Sequence, residues 1–429
     1  MADILKEIIK VLPHNKISDA AYEAANIVLY TKDKDYFLDN KGTIREAVKQ
    51  FKKRIELRPD PSMCMEMEKA EKLIKTLIPK EAGAQNFIFD APRSQLIIHA
   101  DKPGVVIGKQ GEILKGIKEK TMWVPLIKRN PPIRSKLIES IRSVLYENAD
   151  YRKKFLDKTG HRVYDGWLRE KKHEWVRLSF LGAARQVGRA CLLLQTPESR
   201  IIMDCGIDPS QDGPESYPYL DAPEFNIDEI DAVIVTHSHL DHSGLIPYLF
   251  KYGYKGPVYC TLPTRDVMSL LQLDMVKIQR NEGKDPIYTS EEVRDMVLHT
   301  ICLEFDAVTD ITPDVRITLY NAGHILGSSL VHLNIGNGLH NIVFTGDLKY
   351  GRTNVLEAAN TQFPRVETLI MESTYGGKDN VMNEQEADAY MVDVVKKTFE
   401  RGGKVLMPVL GSGRAQEVMI IVERLMREK

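Results

Sequence analysis

Residues 237–242 read HSHLDH, three imidazoles and a carboxylate in six positions. Imidazole nitrogen combined with carboxylate oxygen suits a borderline divalent ion such as zinc. His237 and His239, two apart, can converge on one ion, and Asp241 and His242 can turn to a neighbouring one. The cluster directly follows the apolar run DAVIVT at 231–236. That run reads as a buried strand, so the candidate ligands stand where a strand gives way to a loop. A lone histidine is more often a core or surface residue, but a cluster this dense is a metal-site pattern.

Further candidates obey the same rule of lying just beyond a strand. Asp204 follows the run at 200–203, His324 the run at 316–320, Asp347 the run at 341–344, and Glu372 the run at 368–371. Strand ends on one rim of a sheet place side chains in a common crevice on a rigid support. His237, His239 and His324 would make one site. Asp241 and His242 would start a second, with Asp347 bridging the two. A pair of cations a few Å apart can generate a nucleophile from water and stabilise a phosphoryl transition state. Asp204 reads either as a turn residue before Cys205 and Gly206 or as an acceptor orienting a ligand histidine. His332 lies inside a strand and reads as structural, and His299 and His340 are weaker candidates still.

Short apolar runs separated by turns extend from about Val176 to Met371, with helices interspersed. The pattern predicts two packed sheets flanked by helices. Upstream, residues 1–70 alternate helix and strand (4–11 helix, 25–30 strand, 43–54 helix, 54–58 strand) and close at Pro59 and Pro61. A second unit repeats the logic with a helix over 63–77, a hairpin of 86–89 with 95–99, a helix over 109–120 and a strand over 123–127. A basic helix starts near Ile133. Beyond Asn383 the expectation is a helix to Arg401, a strand over 404–410, a glycine turn, and a helix from Arg414.

The net charge of −1 conceals an asymmetry. Residues 1–178 carry 36 Lys+Arg against 25 Asp+Glu, and the remainder carries 23 against 35. A basic third joined to an acidic, metal-site-bearing part suggests a polyanion-binding module; the alternative is a solvated basic surface. No apolar run reaches the ~18–20 residues of a membrane span, and the charged start MADILKE does not read as a signal peptide. The five cysteines are scattered, with no CxxC, and are expected as reduced thiols in a cytoplasmic protein.

Residues 105–113, VVIGKQGEI, contain a GxxG loop, Gly108, Lys109, Gln110 and Gly111, ahead of a helix. Glycines let the backbone approach a phosphate closely, and a helix N-terminus favours anions. A KH domain clamps about four single-stranded nucleotides in this way. GxxG alone is weak. The preceding apolar residues, the hairpin upstream and the strand downstream strengthen it. Residues 1–70 read as a second KH-type unit without an obvious GxxG, because the nearest counterpart, residues 39–42 (DNKG), has the wrong spacing.

The six-residue cluster, with Asp204, His324 and Asp347, resembles the metallo-β-lactamase fold, a superfamily whose substrates range widely. Residues 372–377 (ESTYGG) resemble the acidic motif of the β-CASP nucleases, and residues 408–417 (PVLGSGRAQE) the start of their inserted domain. Residues 181–188 (LGAARQVG) resemble the opening hairpin of the RNA-cleaving branch. With the N-terminal units, the chain is similar to archaeal homologues of the cleavage and polyadenylation specificity factor endonuclease. The resemblance implies an α/β multidomain chain: a KH-like domain over 1–70, a KH domain over 71–145, a linker helix region over 146–175, an αββα metallo-β-lactamase sandwich over 176–382 and the beginning of an α/β β-CASP domain over 383–429. It implies a zinc-dependent ribonuclease, with two Zn²⁺ per complete site. This enzyme would cut single-stranded, U-rich RNA endonucleolytically, with 5′–3′ exonuclease activity as a second mode, in 3′-end processing or transcription termination. Asp204, Asp241 and Glu372 would serve catalysis, Glu372 by supporting a ligand histidine. Ser412 and Arg414 would hold an RNA phosphate; the bland alternative is a helix cap and a surface charge. The transcription machinery and a second copy, through a C-terminal part, are the expected partners, and no membrane is.

No histidine follows His340, where the family pattern expects several, and residues 423–429 stop within a helical pattern. The expectation is an N-terminal portion of a longer protein that binds zinc at the three-histidine site, binds RNA, and cleaves little. The competing readings are a non-catalytic RNA-binding scaffold and a hydrolase of a small thioester or lactam.

Overall fold

The computed structural model describes residues 4–164, 174–377 and 382–427. The first unit runs α1 (Ile4–Val11), β1 (Asp19–Glu23), β2 (Asn26–Thr31), α2 (Lys34–Leu38), α3 (Thr43–Phe51) and β3 (Arg54–Pro59). The second repeats that order as α4 (Met67–Leu77), β4 (Ala84–Asp90), β5 (Gln95–Ala100), α5 (Pro103–Ile107), α6 (Glu112–Thr121) and β6 (Val124–Arg129). In each, the middle strand pairs antiparallel with the strand before it and parallel with the strand after it. The parallel step needs a crossover, and the helix pair supplies it. The apolar face of each sheet packs on its helices. Ile8, Ile27, Leu29 and Ala47 are buried together in the first unit, and Ile74, Leu96, Ile98 and Ile117 in the second.

The basic helix expected from Ile133 is two helices, α7 (Lys136–Glu147) and α8 (Ala149–Tyr164). They are anchored rather than free. Leu156 accepts the Ala24 N–H at 3.0 Å, and Asp157 accepts that of Tyr22 at 2.9 Å. On its other side, the buried Arg152 donates to the carbonyls of Leu298 and Thr300. One helix thus joins the first unit to the part that follows.

That part is a sandwich. Its first sheet holds β7 (Arg177–Phe180), β8 (Leu192–Gln195), β9 (Arg200–Met203) and β10 (Ala232–Ile234). After α9 (Leu240–Ser243) and α10 (Ile246–Lys251) come β11 (Val258–Cys260), α11 (Leu262–Asn281), α12 (Ser290–His299) and β12 (Thr300–Cys302), which complete it in the order β12-β11-β10-β9-β8-β7. The second sheet runs β13 (Thr309–Asp310), β14 (Val315–Asn321), β15 (Ser329–Ile335), β16 (His340–Phe344) and β17 (Thr368–Ile370) in chain order. Alternation along a strand divides the side chains between two layers. Leu192 and Leu194 face the second sheet with Ile317, Leu333 and Ile342, whereas Leu193 turns to Met268, Val293 and Met296 of α11 and α12. Irregular chain carrying Phe363 and Arg365 crosses the second sheet's far side, where Arg365 accepts from His332 Nε2 at 2.8 Å.

The helix expected after Asn383 is α13 (Glu384–Glu400), and the last is α14 (Arg414–Arg427). The strand expected over 404–410 is absent. Those residues pair with no described strand, Pro408 has no N–H to give a ladder, and Leu406 is 92% exposed. The five cysteines form no disulfide. Among the described residues no helix is long and apolar enough to cross a membrane.

Candidate metal centre and nucleic-acid loop

The tips of β9, β10, β14, β16 and β17 carry the candidate ligands to one rim. His237, fully buried, follows β10, and His239 caps α9. Asp241 and His242 stand in the single turn of α9. His324 and Asp347 arrive from the second sheet. Ligand atoms of His237, His239, His324 and Asp347 all lie within 4.8 Å of one another, and so do those of His237, Asp241 and His242. Asp347 stands between the two groups. Its Oδ2 is 3.5 Å from His324 Nε2 and 3.9 Å from His237 Nε2, and its Oδ1 is 3.4 Å from His242 Nε2.

Two ring nitrogens test whether a cation fits. Nε2 of His237 is buried and has no hydrogen-bond partner, and Nδ1 of His239 faces His324 Nε2 at 3.3 Å. A buried unpaired acceptor is costly unless something occupies its lone pair. The tautomer of His237 follows from its neighbour. Thr236 Oγ1 donates its only proton to Asp204 Oδ2 at 2.8 Å, so at 3.0 Å it must accept from His237 Nδ1–H. Nε2 of His237 is left as a bare lone pair aimed into the cluster. His242 is fixed likewise, with Nδ1–H donating to Asp204 Oδ2 at 2.8 Å. A hydrogen bond on the far ring nitrogen is the usual support of a ligand histidine. The donor set therefore suits a divalent cation such as zinc.

Electrostatics agree. Burial, reinforced by the imidazoles of His242, His239 and His324, pushes the His237 pKa well below the ordinary histidine value. Burial also lowers that of His324. Burial opposes charge on His242, yet its hydrogen bond to Asp204 and the Asp204, Asp347 and Asp241 carboxylates hold it well above the usual range. Burial would raise the Asp347 carboxyl, but the hydrogen bond and charge of His242, with His324 behind it, keep it below normal.

Asp204 is fully buried, with φ at +57°. It orients His242 and also receives the Thr236 N–H at 2.7 Å. Glu372 acts on His324 through its charge, which favours the protonated ring. Its carboxylate accepts the N–H of Leu348, next to Asp347, at 3.2 Å and that of Thr374 at 3.2 Å. No role for Thr236 is legible in the sequence, where its adjacency to His237 is the available signal. Gly413, between Ser412 and Arg414, comes close to Ile325 and the His324 carbonyl, leaving no room for a Cβ there.

The GxxG residues form a turn between α5 and α6. Gly108 has φ +76°, Gln110 +51° and Gly111 +78°, and no side chain caps the N-terminus of α6. A Cβ on Gly108 would lie 2.9 Å from Ile113 Cγ1. Residues 39–42 correct the expectation about spacing. They join α2 to α3 with the same four-residue length, and Lys41 and Gly42 have φ of +51° and +83°. What differs is chemistry. Asp39 Oδ1 accepts the Lys41 N–H at 3.0 Å and Asn40 Oδ1 that of Gly42 at 3.2 Å, so the loop's own side chains engage its backbone.

The family model of the transcription termination factor FttA KH domain matches residues 1–64, and that of the metallo-beta-lactamase superfamily domain matches residues 193–374. Relatives named transcription termination factor FttA align along nearly the whole chain. That of Methanocaldococcus jannaschii is 48% identical over 99% of this chain and 66% of its own length. Those of Methanothermobacter thermautotrophicus (47%, 100% and 67%) and a Lokiarchaeum species (41%, 98% and 66%) are similar. The chain spans about two thirds of the length of these relatives. The resemblance read from its motifs is borne out at the level of family: the chain belongs to the family of transcription termination factor FttA.

Proposed function

We propose that this chain is the RNA-binding and metal-holding part of a metal-dependent ribonuclease that cuts single-stranded RNA in transcription termination. The bare, buried Nε2 of His237, converging with His239 Nδ1 and His324 Nε2 on Asp347, carries the reading. A divalent cation pair, zinc in this proposal, supplies Lewis acidity and an activated water when bound. His237, His239 and His324 hold one position, Asp241 and His242 the other, and Asp347 reaches both. Asp204 and Thr236 keep the imidazoles turned so that lone pairs, not protons, face the centre. Glu372 steadies the backbone after Asp347. Ser412 and Arg414, against the His324 loop, hold an adjacent RNA phosphate, and the loop 108–111 with Lys109 cradles the backbone upstream.

The proposed divisions are KH-type domains over 1–70 and 71–145, connecting helices over 146–175, the metallo-β-lactamase domain over 176–382 and the start of a β-CASP domain from 383. The site of action is the cytoplasm, beside the transcription machinery. Zinc content and cleavage of a labelled U-rich single strand, compared between the full-length native protein and its His237→Ala variant, test the proposal. The parent should bind zinc and cut, and the variant should lose both. Equal cleavage by the two overturns it.

A further inference from the structure

A cavity of about 560 Å³ opens where the C-terminal end of α3 meets β13 and β14 of the sandwich. It lies at the opposite end of α3 from the loop at 39–42, and it involves neither the metal cluster nor the loop at 108–111. Five cations line it against one carboxylate, Asp310. Three of the five are engaged, Lys53 and Arg54 across the two units and Arg316 within the second sheet. Lys53 pairs with Asp310 at 2.9 Å, as does Arg316, and Arg54 donates to the Val308 carbonyl at 2.9 Å. Lys49 and Lys52 are exposed on the wall and have no ion-pair partner among the described contacts. Phe51, half-buried between them in sequence, contributes an apolar surface to the same wall.

Uncompensated cations on a concave surface repel one another, and the low-dielectric walls focus their field, so such a cleft favours a polyanion. Cations interleaved with an aromatic ring match a single strand. The ammonium groups take successive phosphates, and the ring face takes a base without regard to sequence. We infer that this cleft is a second contact for single-stranded RNA, separate from the 108–111 loop, with Lys49 and Lys52 on phosphates and Phe51 against a base. The inference rests on the RNA reading given above.

A labelled U-rich single strand, titrated into the protein across a range of salt, tests it. The substitutions are Lys49→Gln with Lys52→Asn, asparagine being tolerant of the +54° φ at position 52. Two lost phosphate contacts should weaken binding roughly tenfold at 0.1 M salt and flatten the log K against log salt slope by about 1.4. A photoactivatable uridine strand should crosslink within residues 49–54 in the parent, and should still do so in a Lys109→Glu variant. Unchanged affinity and slope in the double variant, while Lys109→Glu weakens binding, overturns the cleft contact and leaves the RNA reading standing. Crosslinks confined to 108–111, or a cleft occupied by poly-glutamate in preference to RNA, overturn it as well. A parent that binds no single strand removes both readings.

Discussion

Asp204 and His242 are 38 positions apart in sequence and meet through one hydrogen bond, Nδ1–H to Oδ2 at 2.8 Å, in a fully buried setting. The carboxylate that receives it also holds the N–H and hydroxyl of Thr236, and that hydroxyl fixes the His237 ring. Two candidate ligands, one from each group in the cluster, therefore take their orientation from a single side chain at the tip of β9.

Asp204→Asn should weaken metal binding by about 10- to 100-fold, the usual cost of losing a support behind a ligand. An amide offers only one acceptor oxygen where two are in use. Competition with a chromogenic chelator measures the affinity. Affinity within twofold of the parent would show that the rings hold themselves.

Removing the metal should lower thermal stability. Binding at 100 times Kd contributes about 2.7 kcal/mol to the folded state. A chelator should therefore depress the Tm of the parent, and added zinc should restore it. His237→Ala should show little or no shift. A chelator-insensitive parent would mean that the clustered imidazoles are not ligands.

Gly108→Ala should destabilise the second unit by about 1–2 kcal/mol, since an L side chain at φ +76° is strained and the new Cβ would press on Ile113. It should also weaken binding of single-stranded RNA. Urea melts and fluorescence anisotropy report the two effects separately. Intact RNA binding at reduced stability would restrict this glycine to a structural role.

His299 carries a pH prediction. Burial lowers its pKa from the ordinary value. Its Nδ1–H donates to the Asp295 carbonyl at 2.7 Å, and its Nε2 accepts from Tyr151 at 3.0 Å, so the neutral ring is the fitted form. With the folded pKa below the unfolded value of ~6.5, the unfolded chain binds more protons in the interval between them. The contribution is complete above about pH 6.5 and is lost as pH falls through that interval. The stability difference between parent and His299→Gln should accordingly shrink from pH 7.5 to 5.5. A constant difference would refute the assignment.

Much of the site was legible in the sequence because its ligands obey a local rule. Each follows a strand, and an apolar run is recognisable wherever it sits, so HSHLDH, His324 and Asp347 stood out before any contact was known. The two KH-type units were legible for the same reason, in hairpins and helices of short range. What tertiary structure alone decided depended on contacts distant in sequence. Thr236 gained its role from Asp204 across 32 positions, and Glu372 its backbone partner Leu348 across 24. The loop at 39–42 has the spacing of its counterpart, but side-chain hydrogen bonds close it, which a glycine count cannot reveal. The run at 404–410 looks like a strand by composition and is not one, because a strand exists only where a partner's N–H and C=O groups complete it. Residue types and spacing thus marked the candidate ligands, whereas the fold decided which side chains hold them in place.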